Sequence, residues 1–290
     1  MATVGTSVIA SKLIGAQVEP FAATALRHLL ALPVLALLCW LFRPAWPRPS
    51  RRDALILLVQ AASGSVGYTV LLIAGTSMSS AADAGVVAGT LPAMAALFAI
   101  LILGERPGPL ALLGIALATA GVLLLSIGGG SEHASPLPGR TLGIALVTAA
   151  VACEVIFILG QRRLCAPIEP LTMATLMSAG GLLLSVPAAV VVWEMDWSAV
   201  SVETTGLGAA LAAIAWYAWV PTVLGFWLWS AGARRATATQ AAASTAWLPL
   251  VAVVGAAVVL GETLTALQLA ALALVLAGVL LGSMQRRTSQ

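Results

Sequence analysis

The sequence predicts an all-α integral membrane protein of ten transmembrane helices, arranged as two inverted repeats of five. Three observations predict it. Of the 290 residues, 60% are hydrophobic and only 9% charged, and the mean hydropathy is +1.03. A soluble domain carries roughly 25% charged residues, so this chain cannot cover a water-facing surface. Apolar runs recur along the whole length, most of them near the roughly 20 residues a helix needs to cross hydrocarbon. Short motifs also recur in the same order in the two halves of the chain.

Lipid offers the backbone no hydrogen-bond partner, so spans must be helices or a closed barrel. The runs are rich in Leu, Ala and Val and show no short alternating strands, so they are helices. The spans are read at 1–17, 21–42, 55–77, 82–103, 109–127, 141–164, 170–192, 208–231, 237–260 and 265–284. The first is short: few residues precede Gly15, and a further apolar segment upstream is expected. Pro109 suits the first position of its helix, where a missing N–H costs nothing. The triplet from Gly128 to Gly130 closes the fifth span. Thr265 with Gln268 reads as a capping box that satisfies free amides at the start of the tenth.

Arginine placement orients the chain. With a cytoplasmic N-terminus, Arg43, Arg48, Arg51, Arg52, Arg106, Arg162, Arg163, Arg234, Arg235, Arg286 and Arg287 all face the cytoplasm, 11 of the 14 basic residues. Lys12 and Arg140 lie outside and Arg27 lies within a span. The loop 193–207 is acidic and falls outside. This satisfies the positive-inside rule at every cytoplasmic connection. The expectation is a multi-pass protein of the cell (inner) membrane with both termini cytoplasmic.

The repeat is visible in matched pairs. Leu91-Pro92 and Leu248-Pro249 are 157 positions apart, as are Gly104-Glu105 and Gly261-Glu262, and Gly121 and Gly278. Glu19-Pro20 recurs as Glu169-Pro170. The two units are read as 1–130 and 138–286. Five spans is an odd number, so the second unit enters the membrane from the opposite face. Inverted repeats of this kind are an architecture of secondary transporters, with a midplane substrate site between the halves.

The composition excludes several classes. The net charge of +3 resides in short arginine clusters between spans and reports topology, not nucleic acid. Three cysteines without paired spacing imply neither a disulfide framework nor a zinc site. The sequence contains no phosphate-binding GxxxxGK[ST] segment, no HExxH, no midplane pair of aspartates and no Ser–His pair, so no ATP hydrolysis, metal, cofactor or catalytic residue is expected. A scaffold has no need of two-sided symmetry. Transport of sugar phosphates would call for basic residues deep in the later spans, and none lies between Arg163 and Arg234.

At residue level, Glu154 sits near the centre of the sixth span. A charge there costs roughly 2.5–3.5 kcal/mol on insertion scales, so it faces a cavity or a partner. The functional reading is proton coupling or recognition of a cation; the alternative is a neutral hydrogen-bonded packing residue. Arg27, beside His28, either attracts a substrate carboxylate or ties its helix to neighbouring carbonyls. Trp216 and Trp219, one turn apart in the eighth span, with Tyr68 and Trp247, are candidates to line the pathway; otherwise they pack against helices or lipid. Ser7, with Thr6 and Ser11, and Thr90 and Ser244 beside the Leu-Pro pairs, either bond a substrate or bond back to their own helices. Pro92 and Pro249 remove a backbone hydrogen bond and are candidate hinges of the fourth and ninth spans. Glu105 and Glu262 read as structural carboxylates near the N-terminus of the helix that follows each.

The segment 75–85, Gly-Thr-Ser-Met-Ser-Ser-Ala-Ala-Asp-Ala-Gly, followed by Leu91-Pro92 and Leu103-Gly104-Glu105-Arg106, resembles the drug/metabolite transporter superfamily of EamA type. Its second copy runs from Ala238 through Trp247, Leu248 and Pro249 to Gly261-Glu262. Thr6 to Lys12 resembles the family's first-helix motif, and Pro20-Phe21 with Arg27 the start of its second helix. The likeness covers essentially the whole chain and is nearest to the branch that exports aromatic amino acids and paraquat-like compounds. It implies export of small metabolites, foremost amino acids, by alternating access. It also implies no enzyme activity, a structural or gating role for Arg27, and a small-molecule substrate and membrane lipid as the partners of a monomer. The alternative it leaves open is a proton-coupled exporter of organic cations.

Overall fold

A computed structural model describes residues 1–47, 49–103, 108–127, 139–161, 163–195, 206–225, 227–228 and 246–284. Among the described residues all regular structure is helical. The first half contains α1 (Ala2–Gly15), α2 (Pro20–Phe42), α3 (Arg51–Gln60), α4 (Tyr68–Met78), α5 (Ala81–Ala88), α6 (Leu91–Leu103) and α7 (Pro109–Ile127). The second contains α8 (Arg140–Gln161), α9 (Pro170–Met195), α10 (Leu207–Tyr217), α11 (Trp247–Val259) and α12 (Ala266–Met284). Among the described residues six helical rods are long and apolar enough to cross a membrane: α2, α3 joined to α4, α7, α8, α9, and α10 with its extension. The pair α5 and α6, bent by 44°, makes a seventh, and the shorter apolar helices α1, α11 and α12 complete ten. Large apolar side chains such as Trp40, Leu101, Leu183 and Val258 are left exposed, as expected of surfaces that face lipid.

Local chemistry explains the element ends. Glu19 caps α2: its carboxylate oxygens accept from the amides of Phe21 (2.8 Å) and Ala22 (2.7 Å), and Pro20 takes the first helical position. Ser50 caps α3 by accepting from Asp53 N–H, so this span begins at 51 and not at 55. The capping box of α12 forms in both directions, Thr265 N–H to Gln268 Oε1 (3.0 Å) and Gln268 N–H to Thr265 Oγ1 (3.2 Å).

Two rods contain a widened turn. Between α3 and α4 the chain runs through a π-helical segment, Ala61–Gly67, and α10 continues into another, Ala218–Gly225. In the second the cause is Pro221, which has no N–H to give the Tyr217 carbonyl; the Thr222 hydroxyl donates to that carbonyl instead, at 2.9 Å. The 82–103 span, expected as one helix, breaks at Gly89-Thr90. Pro92 is the second residue of α6, directly after the break. A Cβ on Gly89 would lie 2.8 Å from Pro249, so the break is also where the two Leu-Pro segments approach. The start of the ninth span, Ser244, Glu105, the loops 128–138 and 196–205, and Arg48, Arg106, Arg162, Arg234, Arg235, Arg286 and Arg287 lie outside the described residues.

The main core is built from small side chains, with Val86, Val87, Val147, Ala252, Val253 and Val275 fully buried around α5. The inverted relation of the halves shows in one pair of contacts. A Cβ on Gly121 of α7 would lie 3.0 Å from the Ala271 carbonyl of α12, and one on Gly278 of α12 would lie 2.6 Å from the Gly114 carbonyl of α7. Position 114 plus the repeat offset is 271, and 121 plus the offset is 278, so the contact is reciprocal, as a two-fold axis requires.

At one end of the bundle the second half grips α5. Arg140 donates to both carboxylate oxygens of buried Asp83, from Nε at 2.8 Å and Nη2 at 3.1 Å, and from Nη1 to the Leu125 carbonyl. Gln268 Nε2 donates to Asp83 Oδ1 and Ser80 Oγ. Glu262 does not serve the helix that follows it, as its position predicts. Its carboxylate accepts from the amides of Ala81 (2.8 Å) and Ala82 (3.0 Å), capping α5 in the other half.

Candidate functional site

A cavity of about 130 Å³ lies within the bundle. Its walls come from both halves: α1, α2, the first π segment and α4 on one side; α8, α9, α10 and the second π segment on the other. Both widened segments line it, through Gly64 and Ser65 in one and Pro221 and Thr222 in the other. A π turn re-aims side chains and loosens the regular ladder, a feature frequent at functional sites.

Arg27 enters from α2 and is only 7% exposed. Its Nη2 donates to the Ser65 carbonyl and to His28 Nε2, both at 2.9 Å, and its Nη1 to Thr222 Oγ1 at 3.3 Å. Its guanidinium lies over the Tyr217 ring, 4.7 Å from the centroid. Arginine cannot accept, so His28 Nε2 must, and neutral His28 then carries its proton on Nδ1. The Ser65 hydroxyl is left to donate to the Met177 carbonyl at 3.1 Å. Arg27 is thus held by both π segments and by a cation–π contact with Tyr217 of α10. Among the described residues, its Nε, the Tyr217 hydroxyl and the Ser178 hydroxyl are buried without a partner. All three residues line the cavity.

Glu154 lines the same cavity from α8, with Phe157 one turn on. Among the described residues it forms no ion pair, and none joins it to Arg27. Tyr68 and Ser7 complete the sequence-predicted residues that the fold brings together here.

The other candidates lie elsewhere. Trp216 and Trp219 are half exposed on the outside of their rod. The Trp216 indole donates to Thr6 Oγ1 on α1 (3.0 Å) and that of Trp219 to the Leu30 carbonyl on α2 (3.3 Å). Trp247 is exposed. Thr90 is buried but donates to the Val87 carbonyl of its own turn. Pro249 packs on Gly89, away from the cavity.

Sequence reasoning missed Tyr217, Ser65, Ser178 and Thr222. For Tyr217 the error is one position: adjacent helical residues differ by about 100° in direction, so the face bearing Trp216 and Trp219 turns away when Tyr217 turns in. The available signal was Pro221, which marks the opened turn around the Tyr217 carbonyl. Among the described residues no three His, Cys, Asp or Glu side chains group to hold a metal.

The sequence and the fold have counterparts among known proteins. The EamA-like transporter family matches residues 1–127 and 141–284. A relative from Bacillus subtilis, named "Uncharacterized transporter YetK", is 30% identical over 96% of this chain and 83% of its own length. A relative from Streptantibioticus cattleyicolor, named "Probable terminal-alkyne amino-acid exporter", is 29% identical over 83% of this chain and 76% of its own. A solved crystal structure superposes with a TM-score of 0.63 on 99% of this chain and 95% of its own, at 22% identity, which shows a shared fold. The chain is therefore a multi-pass membrane protein that belongs to the EamA-like transporter family.

Proposed function

We propose that this protein is a secondary transporter that exports small metabolites, foremost amino acids, by alternating access between its two five-helix halves. The observation that carries this reading is the cavity between the halves, lined from both and bordered by buried polar atoms that have no partner among the described residues. Unpaired buried polar groups are costly, and a polar substrate would satisfy them. The relative named as an amino-acid exporter supports the substrate class. The halves, 1–130 and 138–286, are the moving units, and a single chain supplies the whole cavity lining described here, which supports action as a monomer. The arginine distribution supports a cell (inner) membrane location with both termini cytoplasmic. The protein carries its substrate unchanged, without chemistry or cofactor.

The second reading, an exporter of organic cations coupled to protons, has Glu154 in its favour. The site disfavours it: Arg27 opposes a cation in the same cavity, and about 130 Å³ is small beside the roughly 300–1,000 Å³ of drug-sized pockets.

Counterflow in proteoliposomes tests the proposal. Purified protein preloaded with each member of a panel of amino acids and organic cations is expected to exchange labelled amino acid. Exchange of cations alone would transfer the assignment to the second reading, and no exchange by correctly folded protein would remove the carrier reading.

A further inference from the structure

We infer that the cavity recognises a zwitterion by dividing it between two fixed charges, with Arg27 taking the carboxylate and Glu154 the ammonium. This rests on the cavity being the transport site and names how that site selects.

The argument starts from what each charge lacks. Arg27 is buried and stays protonated, yet its partners in the protein are the Ser65 carbonyl, the His28 ring, the Thr222 hydroxyl and the Tyr217 face, all uncharged. Its Nε–H has no acceptor among the described residues. Glu154 faces the same space and, among the described residues, is joined to no cation. Buried ions are ordinarily paired, because an isolated one is expensive. Here the two partners occupy one cavity but do not meet.

A lone organic cation would pair with Glu154 and leave Arg27 opposed to it. A lone carboxylate would do the reverse. A small molecule that carries both charges completes both pairs at once. The unpartnered Nε–H can give a charge-assisted hydrogen bond to an anionic oxygen, which suits Arg27 to the carboxylate end. Tyr217 and Thr222 are positioning residues: they hold the guanidinium and need not touch the substrate.

Two kinds of zwitterion satisfy this chemistry, α-amino acids with a hydrogen-bonding ammonium and betaines with a quaternary one. Tyr68 and Phe157 near Glu154 would suit the latter through their ring faces. The shared demand is the pair of opposite charges, and the ligands below separate the two sources.

The test is binding to the full chain in detergent by titration calorimetry, in matched sets. One set is L-alanine, ethylamine and propionate; another L-valine, isobutylamine and isovalerate; another L-phenylalanine, phenethylamine and 3-phenylpropionate; glycine betaine is added. Wild type is expected to bind the amino acid of at least one set, or the betaine, tenfold or more tightly than the matching amine and acid. Arg27→Gln should weaken the amino acid tenfold or more, toward the amine's affinity, with the amine's own affinity unchanged or improved. Glu154→Gln should weaken it tenfold or more, toward the acid's affinity, with the acid's own affinity unchanged or improved. Arg27→Lys, which keeps the charge, should recover part of the loss, and thermal unfolding confirms that each variant folds.

If wild type exchanges amino acids but both variants weaken all three ligands of a set alike, the division of charge is overturned and the transport reading stands. If wild type binds the amine as tightly as the amino acid, it is equally overturned. If wild type neither binds nor exchanges any zwitterion, the amino-acid export reading itself fails.

Discussion

Tyr217 shows how much depends on a single side chain. Its ring supports the Arg27 guanidinium, it lines the cavity, and its buried hydroxyl has no partner among the described residues. Tyr217→Leu removes the cation–π support, which is about 2 kcal/mol where the pair is desolvated. It should lower exchange at least tenfold, whereas Tyr217→Phe keeps the ring and should retain most activity; initial rates of counterflow check both. The neighbouring tryptophans make the contrast. Trp216→Phe and Trp219→Phe each lose one hydrogen bond at the outer surface, worth about 1 kcal/mol. They are expected to change exchange less than twofold, with only a small drop in unfolding temperature. A large loss of exchange in either would mean that the outer face of this rod takes part in transport.

At the scale of elements, the two π segments and the grip on α5 have different duties. Pro221 opens the turn that lets Thr222 bond the Tyr217 carbonyl and still reach Arg27. Pro221→Ala returns an N–H to that carbonyl and should close the turn into a regular helix. The expected result is a protein of equal or higher thermal stability with impaired exchange, since a regular turn withdraws Thr222 from Arg27. The α5 grip is expected to govern stability. Asp83 is 1% exposed and Arg140 17%, so Asp83→Ala takes away the buried carboxylate to which Arg140 and Gln268 donate, at a cost of about 1.5–3 kcal/mol. Adding Arg140→Met should recover part of that loss, as a positive coupling in a double-mutant cycle of unfolding free energies. Independent, additive losses would show that the pair does not act as a unit.

At the scale of the whole molecule, the reciprocal contact of α7 and α12 ties the halves across the two-fold axis. Gly121 and Gly278 each approach a carbonyl of the opposite helix too closely for a Cβ without movement. Gly121→Val and Gly278→Val should therefore destabilise by similar amounts, about 1–3 kcal/mol each from overpacking. Thermal unfolding measures this. A marked inequality between the two variants would show that the halves do not share this interface equally.

The sequence by itself determined the helical class, the number of spans and the repeat. It could do so because hydrocarbon thickness fixes helix length, and paired motifs keep their spacing whatever the packing. It also determined the cap of α12, because a capping box is local. Tyr68, Glu154, Ser7 and Arg27 were legible as site residues because polar or charged groups deep in an apolar run need a reason to be there. What only the tertiary structure decided is which face of each helix turns inward. Lipid and protein interior are equally apolar, so hydrophobic periodicity cannot separate Trp216 from Tyr217. Nor could spacing show that Glu262 caps a helix 180 residues away in sequence, since that contact exists only once the halves are packed together. For the same reason, the meeting of Arg27 and Glu154 in one cavity, unpaired with each other, is a property of the fold and not of either segment.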